Sequence, residues 1–190
     1  ILAEDFRSVA DVQFKIGIRY RFGVAVKMNP SEAVRWFQEA AKQGHEDAQC
    51  ELARCCKKGF GIEQDVEKAF RLFQEAAKKY HEDAKFELAS CYEFGVGVEK
   101  DEKNAVQMYR LLSDRGHPKA MYHLAQCYEF GVVVEQDEKK ALSMYQFLSD
   151  EGYDFGHITL ARCYEYGIGV IIDEVKADQL LQLAENQRTL

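Results

Sequence analysis

The residues of this 190-residue chain best equipped for chemistry are six cysteines, five histidines and a recurring Gly-x-Gly. An even cysteine count suits a disulfide framework. However, Cys55, Cys91, Cys127 and Cys163 recur at a constant interval of 36 residues. Packed helices lie roughly 8–10 Å apart, whereas a bridge needs Cα atoms within about 7 Å. Cysteines at one repeated position are thus poorly placed to pair. They are expected to be reduced, half-buried packing residues of a reducing compartment, which places the chain in the cytoplasm.

His45, His81 and His117 also share one position. His-Glu-Asp-Ala follows the opening of a zinc-protease helix, but Gln49 and Lys85 stand where the second histidine is needed. Ligands must converge on a metal, and histidines one repeat apart do not, so they read as helix-entrance residues. His45 with Cys50 and Cys55 fares no better, because five-residue steps turn roughly 140° around a helix. The Gly-x-Gly has no third glycine and no Gly-Lys-Ser/Thr ending, and so reads as a turn rather than a phosphate cradle. The common serine-nucleophile signatures are absent from the sequence. Carboxylates cluster in Glu-Lys-Asp-Glu-Lys-type segments, where they read as solvated caps. The expectation is no enzyme, no metal and no cofactor.

The elements that carry these residues repeat in register. ELARCCKKGFGIEQDVEKAF from Glu51, ELASCYEFGVGVEKDEKNAV from Glu87 and HLAQCYEFGVVVEQDEKKAL from His123 align without insertion. Glycine recurs at Gly23, Gly59, Gly95, Gly131 and Gly167, and alanine at Ala33, Ala69, Ala105, Ala141 and Ala177. Each copy predicts two helices. Ala48, Leu52, Ala53 and Cys56 form one apolar stripe, repeated by Ala84, Leu88, Ala89 and Tyr92; Ala69, Leu72, Phe73 and Ala76 form the second. The glycines suit left-handed ends of helix A. Asn29, Asp65, Asp101, Asp137 and Asp173 suit N-caps of helix B. A lone pair cannot bury both stripes but a stack can. The fold expected is an all-α solenoid of five 36-residue helix pairs.

The order Ala84, Leu88, Tyr92, Gly95-x-Gly97-Val98, Asp101 and Ala105, with the Ala-Ala pair seen at Ala76-Ala77, resembles the Sel1-like repeat, a relative of the tetratricopeptide repeat. The resemblance spans residues 10–187, in repeats of about 10–45, 46–81, 82–117, 118–153 and 154–187, with 1–9 as the end of a preceding repeat. It implies a right-handed superhelix used as a protein-interaction scaffold or adaptor. Cys56 departs from the usual tyrosine, Ala25 and Val133 from the second loop glycine, Tyr80 from the turn glycine and Gly156 from the helix A alanine. A secreted, cysteine-rich branch of the family carries two cysteines per repeat; only the second copy here has more than one.

The net charge of −7 disfavours general nucleic-acid binding. No apolar run approaches the roughly 18–20 residues that span a bilayer, so no membrane insertion is expected. Residue 1 is isoleucine, and the chain reads as a fragment of something longer.

By the tetratricopeptide likeness, the side of helix A opposite its stripe lines the concave surface. One column there is Phe14, Cys50, Phe86, Tyr122 and Ile158; another is Phe22, Lys58, Phe94, Phe130 and Tyr166. Arg54 and Arg162 share a column, and Arg21, Lys57, Glu93, Glu129 and Glu165 run from basic to acidic. Rings and arginines in a groove are the usual anchors of recognition. The expected partner-binding residues are Phe14, Arg54, Phe86, Glu93, Tyr122, Glu129, Ile158 and Arg162, with the charge gradient fixing the direction of a protein or peptide partner. The aromatic column before the glycine fits binding or packing on the loop equally. Other readings are a regulatory or targeting part of a larger enzyme, an RNA-binding repeat, or a β-lactam hydrolase like some cysteine-rich relatives. Leu180, Leu181 and Leu183 leave the last helix apolar, which predicts self-association or a continuation.

Overall fold

The computed structural model describes residues 8–78 and 81–188, the last two by backbone alone. Tyr80, residues 1–7 and the turn geometry expected of them lie outside the described residues. Among the described residues are ten α-helices and no strand: α1 (Val9–Phe22), α2 (Pro30–Lys42), α3 (Glu46–Lys58), α4 (Val66–Lys78), α5 (Glu82–Phe94), α6 (Glu102–Ser113), α7 (Pro118–Phe130), α8 (Glu138–Asp150), α9 (Asp154–Tyr166) and α10 (Glu174–Arg188). Odd-numbered helices are helix A of each repeat and even-numbered ones helix B.

Local chemistry sets the boundaries. The repeated histidines are N-caps: Nδ1 of His45, His81 and His117 accepts from the backbone N–H of Ala48, Ala84 and Ala120 at 3.3, 3.0 and 3.2 Å. An imidazole nitrogen thus satisfies one of the orphan donors of the helix start. Asp65, Asp137 and Asp173 do the same for helix B, accepting from Lys68, Lys140 and Lys176 at 2.8, 2.9 and 3.0 Å. Each helix A ends on its repeated glycine, at φ between 67° and 74°. Val133 takes up the loop conformation of its glycine equivalents at φ 63°, with its side chain exposed. The turn survives the substitution but carries strain, because a β-branched residue is poorly accommodated there.

The chain packs as two units, Ile1–Asp101 and Glu102–Leu190. In the first, Phe37 and Phe73 fill the centre among Ala33, Ala48, Ala69, Ala76 and Ala84, all fully buried. In the second, Tyr145, Leu148 and Leu160 do so among Ala120, Ala125 and Ala141. Gly156 lets the start of α9 approach the end of α8: a Cβ there would lie 2.5 Å from the Leu148 carbonyl carbon.

Two expectations need correction. The cysteines are wholly rather than half buried, Cys50 included, and none is bridged. Cys50 comes from the column expected to be exposed; its small side chain lies within the first unit's core instead. Burial pushes the thiol of Cys50 up to about 12 and those of Cys55, Cys91 and Cys163 up to about 11. In the last helix, Leu180 is buried, so only Leu181 and Leu183 of the three leucines remain exposed.

Four outcomes follow. Leu160→Ala should cost about 2–5 kcal/mol, read by denaturant unfolding, because it opens a cavity in a fully packed site. Val133→Gly should raise the melting temperature, since relief of backbone strain outweighs the loss of an exposed side chain. Native thiols should resist alkylation at neutral pH. A thiol whose folded pKa is raised contributes stability that is fully present below the unfolded value of about 9 and lost as pH rises toward 11–12. Unfolding midpoints should therefore fall over that window, and fall less in a Cys91→Ala, Cys163→Ala variant.

Candidate functional site

The exposed face of the A helices carries charges and rings, and the charges turn to one another. In the first unit Arg21 of α1 pairs with Glu51 of α3. Arg54 meets Glu51 at 2.5 Å and Glu87 of α5 at 2.9 Å, and Lys57 reaches Glu87 at 3.2 Å. Alternating charge thus runs as a ladder over three successive A helices. Burial alone would raise the carboxyl of Glu87, but the hydrogen bond from Arg54 and the charge of Lys57 hold it below the ordinary carboxylate range. The Arg54 guanidinium, disfavoured by burial, is held protonated by its hydrogen bonds to the carboxylates of Glu87 and Glu51.

In the second unit Glu129 is only 3% exposed. Its Oε2 accepts from the Tyr145 hydroxyl at 2.8 Å and from Arg162 at 2.6 Å. The Tyr145 phenol is raised above its usual range, by burial first and by Glu129 second. Glu129 was expected to meet a partner directly. Its geometry makes it instead the buried anchor that aims Arg162, because the tyrosine below and the arginine above cover it. The basic-to-acidic gradient is likewise altered: Arg21 and Lys57 are already paired within the chain.

The remaining expected residues occupy varied settings. Phe14 stacks on the His45 ring with centroids 4.7 Å apart and leans on Phe37 at 5.9 Å. Tyr122 is half-buried, edge-on to Phe155 at 5.6 Å, and its hydroxyl accepts from Gln126 at 3.1 Å. Phe86 and Glu93 are half-buried, and Ile158 is exposed.

The more accessible row is the other column. Phe22, Phe94, Phe130 and Tyr166 are each between 60% and 66% exposed. Most of each ring therefore faces water. The sequence signal was present, an aromatic one residue before the glycine that ends helix A in four of the five repeats, with Lys58 in the second, but a side chain at that place fits either role until its surroundings are known. Phe22 and Phe94 belong to the first unit; Phe130 and Tyr166 sit on adjacent repeats of the second. Surface hollows at the loop between helices are shallow and lined by equivalent residues, Ile62, Gln64 and Asp65 in one repeat and Val134, Gln136 and Asp137 in another. No cluster of three or more His, Cys, Asp or Glu suited to a metal occurs among the described residues. No described helix is long and apolar enough to cross a membrane.

A search of curated proteins finds no match. Among solved structures, the chain is similar to a Sel1 repeat protein of Oxalobacter formigenes, with 28% identity, a TM-score of 0.79, and 94% of this chain and 71% of the other covered. It is also similar to c5321, a protective antigen of uropathogenic Escherichia coli, with 26% identity, a TM-score of 0.74, and 94% and 38% covered. The immunity protein Pa5087 of Pseudomonas aeruginosa, 21% identical with a TM-score of 0.69 and with 94% and 66% covered, shares the fold. The Sel1 repeat profile matches residues 10–45, 46–81, 82–117, 118–153 and 158–188. With two helices to each match and the same solenoid in these neighbours, the chain belongs to the Sel1 repeat family, whose members generally serve as scaffolds for protein–protein interaction.

Proposed function

We propose that this protein is a non-catalytic adaptor that binds an extended segment of a partner protein along the exposed face of its A helices. The observation that carries this is the row of exposed rings. Aromatic side chains more than half exposed, at one repeated position on preformed helices, offer large contact area at low ordering cost. In the second unit Phe130 and Tyr166 form the outer grips. Tyr122 and Ile158 lie deeper, and Arg162, aimed by Glu129, supplies a charged donor. In the first unit Phe22, Phe94, Phe86 and Glu93 take the equivalent places, while Phe14 and Arg54 support them from within the packing and the ion-pair ladder. The ladder favours binding over catalysis, since its charged groups are stabilised in one protonation state by their neighbours. The unbridged cysteines favour a reducing compartment such as the cytoplasm.

The test begins with selection of peptides on the intact chain from a displayed random library. Affinities of the selected peptides would then be measured by calorimetry against variants. Phe130→Ala with Tyr166→Ala should weaken binding about thirtyfold, as truncation of interface aromatics often costs about 2 kcal/mol or more. The same pair should move stability by only about 0.5 kcal/mol, as expected of exposed positions. Peptides that bind the double variant as well as the parent would place the binding face elsewhere.

A further inference from the structure

Along the outer side of helix B one column changes character in the last three repeats, and two more change in the third and fourth. The column of Glu39 and Glu75 in the first two repeats becomes Leu111, Phe147 and Leu183 in the last three. These three side chains are 63%, 50% and 50% exposed. Glutamates at the equivalent places show that packing within a repeat does not require an apolar residue there.

The flanking charges change as well. Near the start of helix B, Ser31 and Glu67 give way to Lys103 and Lys139. In its last turn, Lys42 and Lys78 give way to Asp114 and Asp150. All four replacements are exposed. At these two places α6 and α8 run against the preference of the helix dipole, although both keep an acid in the first turn, Glu102 and Glu138, while α10 carries the uncharged Val175 and Asn186. Residues that break a local rule without a local gain point to a role beyond their own helix. The fourth repeat shows this most strongly. Lys139 stands near one end of α8, after the N-cap Asp137 and Glu138, Asp150 and Glu151 stand at the other, and Phe147 lies between them, while Lys140 turns to the Tyr128 hydroxyl of α7. In the third repeat Arg115 beside Asp114 dilutes the acidic end.

We infer that this row, Leu111–Phe147–Leu183, is a docking face for a second copy of this chain, the two copies being related by a two-fold axis along the row. The argument is charge complementarity. A two-fold axis parallel to the row, and thus across the helices, reverses helix direction between the copies. The lysine bank of each copy then meets the aspartate bank of the other, twice per dimer, in an isologous interface. Lys139 and Asp150 lie eleven residues apart, about 16 Å along the helix. The axis crosses midway between them, and Phe147 sits about 4 Å to its C-terminal side. Phe147 of one copy therefore comes to rest over Ser143 of the partner subunit, a small residue one turn away, rather than against its own image. Three helices, each about 19 Å long and 10 Å wide, give a footprint of roughly 600 Å² per copy. That is below the ~800 Å² of a standard interface, so the dimer is a reversible one. This face is separate from the rings on the A helices, and its test does not depend on them.

Sedimentation velocity of the intact chain over a concentration series reads the equilibrium directly. The parent should pass from monomer to dimer, and Phe147→Glu should weaken the dimer at least tenfold while its melting curve stays close to that of the parent. Lys139→Glu and Asp150→Lys should each abolish the homodimer. Both substitutions suit the helix dipole, so neither should impair folding. Mixed in equal amounts, those two variants should form a heterodimer, because Glu at 139 in one chain faces Lys at 150 in the other, while native Asp150 of the first faces native Lys139 of the second. A parent that stays monomeric at several hundred micromolar, a dimer indifferent to Phe147→Glu, or a mixture that stays monomeric would each overturn the inference.

Discussion

Close approach of helix backbones at alanine is the constraint on which the rest of this structure depends. Ala33, Ala69, Ala105 and Ala141 on helix B, and Ala48, Ala84 and Ala120 on helix A, are at most 1% exposed. Small side chains let the two helices of a repeat, and those of the next, come together closely enough for interior packing density. Larger residues between them, Phe37, Phe73, Tyr109 and Tyr145, then fill the space and are fully excluded from water. Gly156 carries the same logic one methyl group further. A larger residue in these columns would push the helices apart and uncover the buried cysteines.

Once helix spacing is set, charges on successive A helices fall within reach of one another. This is why Arg21, Glu51, Arg54, Glu87 and Lys57 join in a ladder. Such partly buried pairs contribute modestly to net stability, yet removal of one member strands another away from water. Their effect is to fix the relative orientation of α1, α3 and α5. The pairing of Glu129 with Tyr145 and Arg162 does the same for α7, α8 and α9. The exposed rings of the A helices, the face proposed for binding, are thus carried on helices tied together by these pairs.

The last helix meets water unevenly. At α10 the packing column Val34, Phe70, Val106 and Leu142 continues as Asp178, and that of Ala41, Ala77, Ser113 and Ser149 as Glu185, both exposed. These acids give the last helix a partly polar edge, which solenoids require wherever no repeat follows. Leu181 stands where the other copies have a buried aromatic ring and is 41% exposed. The edge is thus neither a full cap nor a full interface.

The repeat, its period, the helix pairs and their caps were all readable from residue order, because each depends on neighbours a few places along the chain. Histidine before helix A, aspartate before helix B and glycine after helix A act through backbone groups three to five residues away. What the tertiary structure decided concerns residues that answer to distant partners. Glu129 and Glu165 are equivalent in the repeat, yet one is buried under Tyr145 and Arg162 and the other is exposed. Cys50 and Ile158 share a column, yet one lies in a core and the other faces water. A 36-residue period specifies which side of a helix a residue occupies. Whether that side is covered depends on the sizes and charges contributed by the next helices in space, and no local pattern contains that information.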